Sequence, residues 1–461
     1  MVLLNKRANR IRIETMEQPI ADIRRDITIT KSLELQEKAH RLIPGGCHTY
    51  AKGDDQYPEN SPKVIVSGSG CHVTDADGNT FMEFGMGLRS VTLGHGNRRV
   101  AEAAYRASLN GTNFLRPSVL EIELAEEMLS LLPHGDMIKF GKNGSDVTTA
   151  AIKLSRAHTG RDLVAVPSNQ PFFSVDDWFI GTTDMDAGIP DSVKKMTVQF
   201  EFDNLESVKA LFEQYPGQIA CLIMEPAKYD DPSDHFLHRV RDLCHEHGAL
   251  FILDEIITGF RWHLNGAQAY YNIQADLSTF GKAMGNGFSV AALIGKRELM
   301  EAGGLRHDGE RVFLLSQTYG AETGSLAAAL ETIKIYREEP VIETLWARGR
   351  QLESGLRSII DELSLHDYFT ISGKPCCLVF GTNDENKQPS QPFRTLFMQE
   401  AIKQGLLLPS LIVSYAHTEK DIERAIEGIG EALVVYKKAI HEGIDKYLHG
   451  KSVQPVFRKY N

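Results

Sequence analysis

Cysteine is scarce in this chain, and its spacing excludes the structures that cysteine usually builds. The six residues (Cys47, Cys71, Cys221, Cys244, Cys376 and Cys377) lie far apart or side by side, with no CxxC pair. That argues against a disulfide scaffold and makes a reducing, cytoplasmic compartment the expectation. A basic surplus is missing too: 50 Lys and Arg against 61 Asp and Glu leave a net charge of -11. Nucleic-acid binding usually shows the opposite balance, so no nucleic-acid partner is expected, although a local basic pocket is not excluded. Long apolar runs are absent as well. The longest uncharged stretch, Gly405 to Ala416, is interrupted by Pro409 and falls well short of the roughly 20 residues that span a bilayer. The first residues carry acids and no apolar core before a small-residue cleavage site, unlike a targeting segment. We expect an arm over residues 1 to about 30.

What is present is ordinary for a large globular protein. The chain has 461 residues, 42% apolar and 24% charged, enough for a large core and two domains. Lys31 to Leu42 reads as a helix, stopped by Pro44-Gly45-Gly46. Val64 to Phe84 alternates around the turn Asp75 to Asn79, the pattern of a hairpin. Ser118 and Glu121 form a capping box for a helix over Val119 to Leu132. Further on, apolar strands alternate with helices: strands at Met137–Phe140, Leu163–Val166, Ile219–Met224, Ala249–Leu253 and Val290–Ile294, helices at Asp146–His158, His235–His245 and Glu322–Tyr336. That alternation predicts an α/β fold with a mostly parallel, helix-covered sheet. After about Glu338 long helices surround short strands. We therefore expect an arm and part of a small domain over 1–95, a large domain over 96–337 and a small α+β domain over 338–461.

The chemistry is concentrated in two segments. Asp254 ends the apolar strand of ALFILDEIITGF, and Lys282 sits on a glycine-flanked loop, FGKAMGNG. In open α/β sheets the carboxyl ends of strands face the ligand crevice. A strand-end Asp followed by such a Lys is what pyridoxal phosphate requires. The lysine forms the Schiff base and later moves a proton, and the aspartate keeps the pyridinium nitrogen protonated. Asn143-Gly144-Ser145 follows a strand and opens a helix, so backbone N–H groups, the Ser145 hydroxyl and the helix dipole suit the cofactor phosphate. Thr318, in SQTYGAETG, precedes a second glycine-rich helix start and suits another phosphate contact. The aromatics of NQPFFSVDDWF and Ile256 would cover the two faces of a planar ring. His235, His238, Cys244, His245 and His247 have metal-binding side chains, but their spacing matches no common zinc pattern. No metal is expected.

These motifs resemble those of the fold-type I, class III pyridoxal-phosphate aminotransferases, and within them the glutamate-1-semialdehyde aminomutases. RLIPGG (41–46), the DADGN turn, TLGH (92–95), Asn143-Gly144-Ser145, IMEP (223–226), DEIITGFR (254–261), FGKAMGNG (280–287) and SYAHTEKDIE (414–423) carry the likeness. The resemblance implies Lys282 as the Schiff-base lysine, Asp254 as the pyridinium partner, and Gly144 and Ser145 at the phosphate. It implies Phe172 as the ring-stacking aromatic, Glu225 near the cofactor, and a homodimer in which Thr318 crosses the interface.

Five departures bear on the substrate. Phe172-Phe173-Ser174 stands where the family has aromatic-His-Gly. The stretch TTDMDAGIP (182–190) is short where the aminomutase has a longer mobile loop. LLPSLIVSYAH (407–417) lacks the aminomutase's insertion and its glutamate. Lys52 replaces a substrate-binding arginine, and Arg89 appears where the family has a small residue. Arg89 and Lys52 are thus candidates for an anionic substrate group. A short lid suits exchange of donor and acceptor between half-reactions. We therefore expect an aminotransferase that uses an amino-acid donor and a ketone or aldehyde acceptor, such as a ketosugar or a biosynthetic intermediate. The alternatives are the 1,2-amino shift of glutamate-1-semialdehyde and a cofactor-binding homologue without turnover.

Overall fold

The computed structural model describes residues 27–169, 172–227 and 229–460. The arm expected over 1–30 lies, up to residue 26, outside them. A three-strand meander comes first: β1 (Ile65–Ser69), β2 (His72–Asp75) and β3 (Thr80–Glu83). The expected hairpin is its β2–β3 half, and Asp75 makes that turn. Its Oδ1 accepts from the N–H groups of Asp77 and Asn79, at 3.0 and 2.8 Å, an Asx-type closure.

The large sheet contains β4 (Met137–Gly141), β5 (Leu163–Pro167), β6 (Thr197–Phe200), β7 (Ile219–Met224), β8 (Leu250–Asp254), β9 (Leu277–Phe280) and β10 (Ala291–Gly295). Their spatial order is β4-β10-β9-β8-β7-β5-β6. Strands β9, β8, β7, β5 and β6 run parallel, and only β10 opposes its neighbours. This is the mostly parallel, helix-covered sheet that the apolar strands predict. Every residue of β7 and β8 is buried, and each large apolar side chain so enclosed is worth about 1.5–3 kcal/mol over exposure. The sequence reading passes over β9 because Ser278 and Thr279 interrupt its apolar run. Both are buried and bonded, Ser278 to His134 at 2.7 Å and Thr279 to Asp254 at 3.0 Å.

The rest of the chain adds a hairpin, β11 (Phe369–Ser372) with β12 (Val379–Thr382), and a two-residue strand, β13 (Leu406–Leu407). β13 pairs parallel with β3, so one small sheet is assembled from both ends of the chain. Helix Gln391–Lys403 packs on β13, and helices Val341–Leu363 and Glu419–Glu442 pack against each other. Capping boxes start the helices at Ser118, Asn143 and Thr418. Among the described residues no helix is long and apolar enough to cross a membrane.

Candidate active site

Parallel strands end on one edge of the large sheet, and the singled-out residues follow those ends. Asp254 is the last residue of β8. Glu225 follows β7, Lys282 follows β9, and the helix Gly144–Thr159 starts just after β4. Topology thus gathers residues spread over more than a hundred positions.

Asp254 is 3% exposed. Its Oδ1 accepts from the Ile256 N–H at 2.9 Å and the Thr279 hydroxyl at 3.0 Å. Its Oδ2 receives no hydrogen bond from the described residues, so it is free to take a cationic N–H. Burial pushes the carboxyl up to about 6, while the Ile256 N–H, the Lys282 charge and the Thr279 hydroxyl pull it down. Burial likewise lowers the Lys282 amine to about 8. The Arg89 charge adds to that fall, and Glu225, Asp254 and Cys377 oppose it. Lys282 holds a left-handed backbone, φ 44°, unusual for a residue with a side chain and typical of strain kept at functional sites.

Gly144 sits against Ile256: a Cβ there would lie 2.5 Å from Ile256 Cδ1. Nothing larger than glycine fits while Ile256 keeps its place. The adjoining Ser145 is 8% exposed, and its oxygen accepts from the Val175 N–H at 3.0 Å, which leaves its proton to donate. With the first N–H groups of the helix Gly144–Thr159, this donor group suits an anion such as a phosphate. An unused carboxylate oxygen, a partly neutralised lysine and an anion cradle on one sheet edge fit pyridoxal phosphate.

The segment carrying Arg89 is unusual. Met86, Gly87, Leu88 and Arg89 are all left-handed, at φ 43°, 58°, 58° and 71°. For residues with side chains this costs roughly 1–2 kcal/mol each. The turn is held from outside. Arg261, fully buried, donates through Nη2 to the Arg89 carbonyl at 2.7 Å and to Thr92 Oγ1 at 3.0 Å. Asn286, four residues past Lys282, accepts from the Leu93 N–H at 2.8 Å and donates to the Gly94 carbonyl at 3.2 Å. The lysine loop and the Arg89 segment are therefore pinned together.

The remaining candidates make no side-chain hydrogen bond to Asp254, Lys282 or Ser145 among the described residues. Phe172 is 44% exposed and meets Phe179 edge-on, ring centres 5.6 Å apart. Thr318 is exposed, its carbonyl accepts from Asn113 at 3.0 Å, and no hydrogen bond joins it to Gly144 or Ser145. Lys52 is exposed on the short turn Tyr50–Lys52, and no contact links it to Lys282. The histidine-rich segment disperses: His238 meets the Asn272 carbonyl at 3.0 Å, His245 pairs with Asp276 at 3.0 Å, His247 stacks on Phe212, and Cys244 is in the core. Sequence reasoning missed Arg261, which holds the Arg89 turn, and Cys377, whose charge acts on Lys282. Only Arg261 had a signal, the end of DEIITGFR.

Known proteins resemble this chain over most of its length. A family model described as aminotransferase class-III matches residues 55–433. A glutamate-1-semialdehyde 2,1-aminomutase of Pelodictyon phaeoclathratiforme is 32% identical over 435 residues, covering 88% of this chain and 98% of that protein. A 3-aminobutyryl-CoA aminotransferase of Cloacimonas acidaminovorans is 28% identical, covering 90% and 99%. Among solved structures, the FumI protein of Sphingopyxis sp. MTA144, in its PLP internal aldimine form, superposes with a TM-score of 0.81 at 26% identity, covering 90% and 98%.

Proposed function

The chain belongs to the class III aminotransferases, a pyridoxal-phosphate family, and from that premise we propose that it moves an amino group from an amino-acid donor to a ketone or aldehyde acceptor, with Lys282 as its catalytic lysine. The observation that carries this reading is the Asp254–Lys282 pair, enclosed at the ends of adjacent strands with opposed shifts of their titrations.

Bound pyridoxal phosphate supplies an electron sink that lets the amine-bearing carbon of a substrate lose a proton. The protein's own groups do the rest. Asp254, through its unused Oδ2, holds the proton of the ring nitrogen. Gly144 and Ser145 hold the phosphate at their helix start, and Ile256 and Phe172 confine the ring. Lys282, drawn towards its neutral form, takes the substrate proton at Nζ and returns it. Arg89 holds a substrate carboxylate beside that amine. Lys52 has no supporting contact, so Arg89 is the stronger of the two substrate candidates.

The active unit in this reading is a homodimer. Leu109, Phe114, Leu115, Val119 and Ile122 are exposed. The Thr112 carbonyl and the Asn113 side chain tie this stretch to Thr323 and Thr318, at 3.0 Å each. Exposed Tyr319 directly follows Thr318. An apolar surface of this kind marks an interface, and it would carry Thr318 to a partner's phosphate.

The aminomutase is the second reading, favoured by the 32% identical relative of that name. Product analysis separates the two. Holoenzyme given amino-acid donors without acceptor should lose its visible absorbance and release one oxo acid per site. No change with any amino acid, alongside isomerisation of glutamate-1-semialdehyde, would replace the aminotransferase by the aminomutase.

A further inference from the structure

We propose that Cys71, His72 and Asp421 form a binding site for a zinc ion, which ties the start of the helix Glu419–Glu442 to the β1–β3 meander. Its role is structural and holds whatever reaction Lys282 performs. Cys71 lies in the turn between β1 and β2, and His72 opens β2. Asp421 lies in the first turn of the helix. The Cys71 sulfur, a His72 ring nitrogen and an Asp421 oxygen all lie within 4.8 Å of one another. Cys71 Sγ and His72 Nδ1 are 3.4 Å apart. A tetrahedral zinc bonded to sulfur at about 2.3 Å and to nitrogen at about 2.0 Å sets those two atoms about 3.5 Å apart. Cys71 is 2% exposed, and His72 and Asp421 are half-buried, so the thiol is sheltered without the site being sealed. A thiolate, an imidazole and a carboxylate together suit zinc, whereas magnesium and calcium take oxygen ligands.

The surroundings hold these ligands in place. Asp421 Oδ2 accepts from the Thr418 N–H at 2.8 Å and from its hydroxyl at 2.7 Å, which anchors the carboxylate and keeps Oδ1 for an ion. The Cys71 carbonyl accepts from the Glu83 N–H at 2.8 Å, and His72 pairs with Met82 in the β2–β3 ladder. Ala416 packs on the same turn: a Cβ at Gly70 would stand 3.7 Å from its Cβ. Next to Ala416, His417 is 1% exposed, and its Nε2 is buried with no partner among the described residues. Its Nδ1 accepts from the Ser414 N–H at 2.9 Å, so Nε2 carries the hydrogen and is not a ligand. Water in the ion's fourth position is an acceptor of the kind that this N–H lacks. No spacing rule flags the three ligands, because Asp421 joins Cys71 and His72 only through the fold. Binding replaces the thiol hydrogen: the S–H bond breaks, a Zn–S bond forms, and one proton goes to solvent.

The test is zinc binding by the full-length holoenzyme after metal is stripped with a chelator. One zinc per chain should stay bound through gel filtration, with one proton released per ion in weakly buffered solution. Cobalt in its place should show tetrahedral d–d bands and thiolate-to-metal charge transfer, read as a difference from the metal-free holoenzyme, and zinc should displace it. Loss of an outer-shell partner weakens metal sites by about 10–100-fold, so loss of a ligand in Cys71→Ser or His72→Asn should weaken zinc by about a hundredfold or more. Zinc should raise the Tm of the unsubstituted chain and leave that of Cys71→Ser unchanged. His245→Asn, in the dispersed histidine segment, should keep full affinity. Cofactor retention reports whether each variant is folded; where one is not, the cobalt spectrum of the unsubstituted chain decides alone. Substoichiometric zinc, a cobalt spectrum without thiolate charge transfer, or uptake that Cys71→Ser leaves unchanged, meaning an adventitious ion only, overturns the proposal. None of these readouts uses turnover, so they stand apart from the aminotransferase reading.

Discussion

At Lys282 two opposite charges act on one amine. Arg89 lowers its titration and Glu225 raises it, on top of the fall caused by burial. Capture of the cofactor needs the neutral amine, so its rate in the cofactor-free protein should rise with pH through about 8. Arg89→Gln removes a cation and should move that profile to higher pH. Glu225→Gln removes an anion and should move it lower. Stopped-flow absorbance on the two variants reads both shifts, and shifts of the same sign would contradict the assignment. Asp254 gives a second pH test. Its carboxyl is raised from 3.8 to about 6 in the cofactor-free fold, so the folded chain keeps a proton that the unfolded chain has lost. This contribution is complete at low pH and disappears as pH rises through about 6. Urea titrations between pH 4 and 6.5 should give a falling stability component that Asp254→Asn lacks.

At the scale of elements, local rules place most of the framework and miss what bends it. Apolar runs and caps locate β7, β8 and the helix after Asn143 to within about two residues, because burial and capping are local signals. The left-handed turn at Met86–Arg89 has no such signal, since its conformation is imposed by contacts from Arg261 and Asn286, far along the chain. Two substitutions test the element-level account. Arg261→Met should free the Arg89 turn and shift the Lys282 profile upward as Arg89→Gln does. A variant that is destabilised but leaves the profile in place would make Arg261 purely structural. Gly144→Ala, with its Cβ 2.5 Å from Ile256, should weaken cofactor binding about tenfold or more, measured by equilibrium dialysis.

For the whole molecule, sheet topology converts dispersed motifs into one site. The fold class was legible because the strands are apolar and alternate with helices. The convergence of Glu225, Asp254 and Lys282 was legible only as far as strand ends imply a common edge. The proposed homodimer rests on the exposed apolar side chains of the 109–122 stretch. Leu115→Glu combined with Phe114→Glu should shift sedimentation equilibrium towards monomer and lower activity together, whereas an unchanged dimer would place the interface elsewhere. The central claim is that the cofactor is held at Lys282. Borohydride reduction of the holoenzyme, followed by digestion and mass mapping, tests it most directly. The expected result is the cofactor mass on the peptide containing Lys282, lost in Lys282→Ala. Label on another lysine, or none despite bound cofactor, would contradict it.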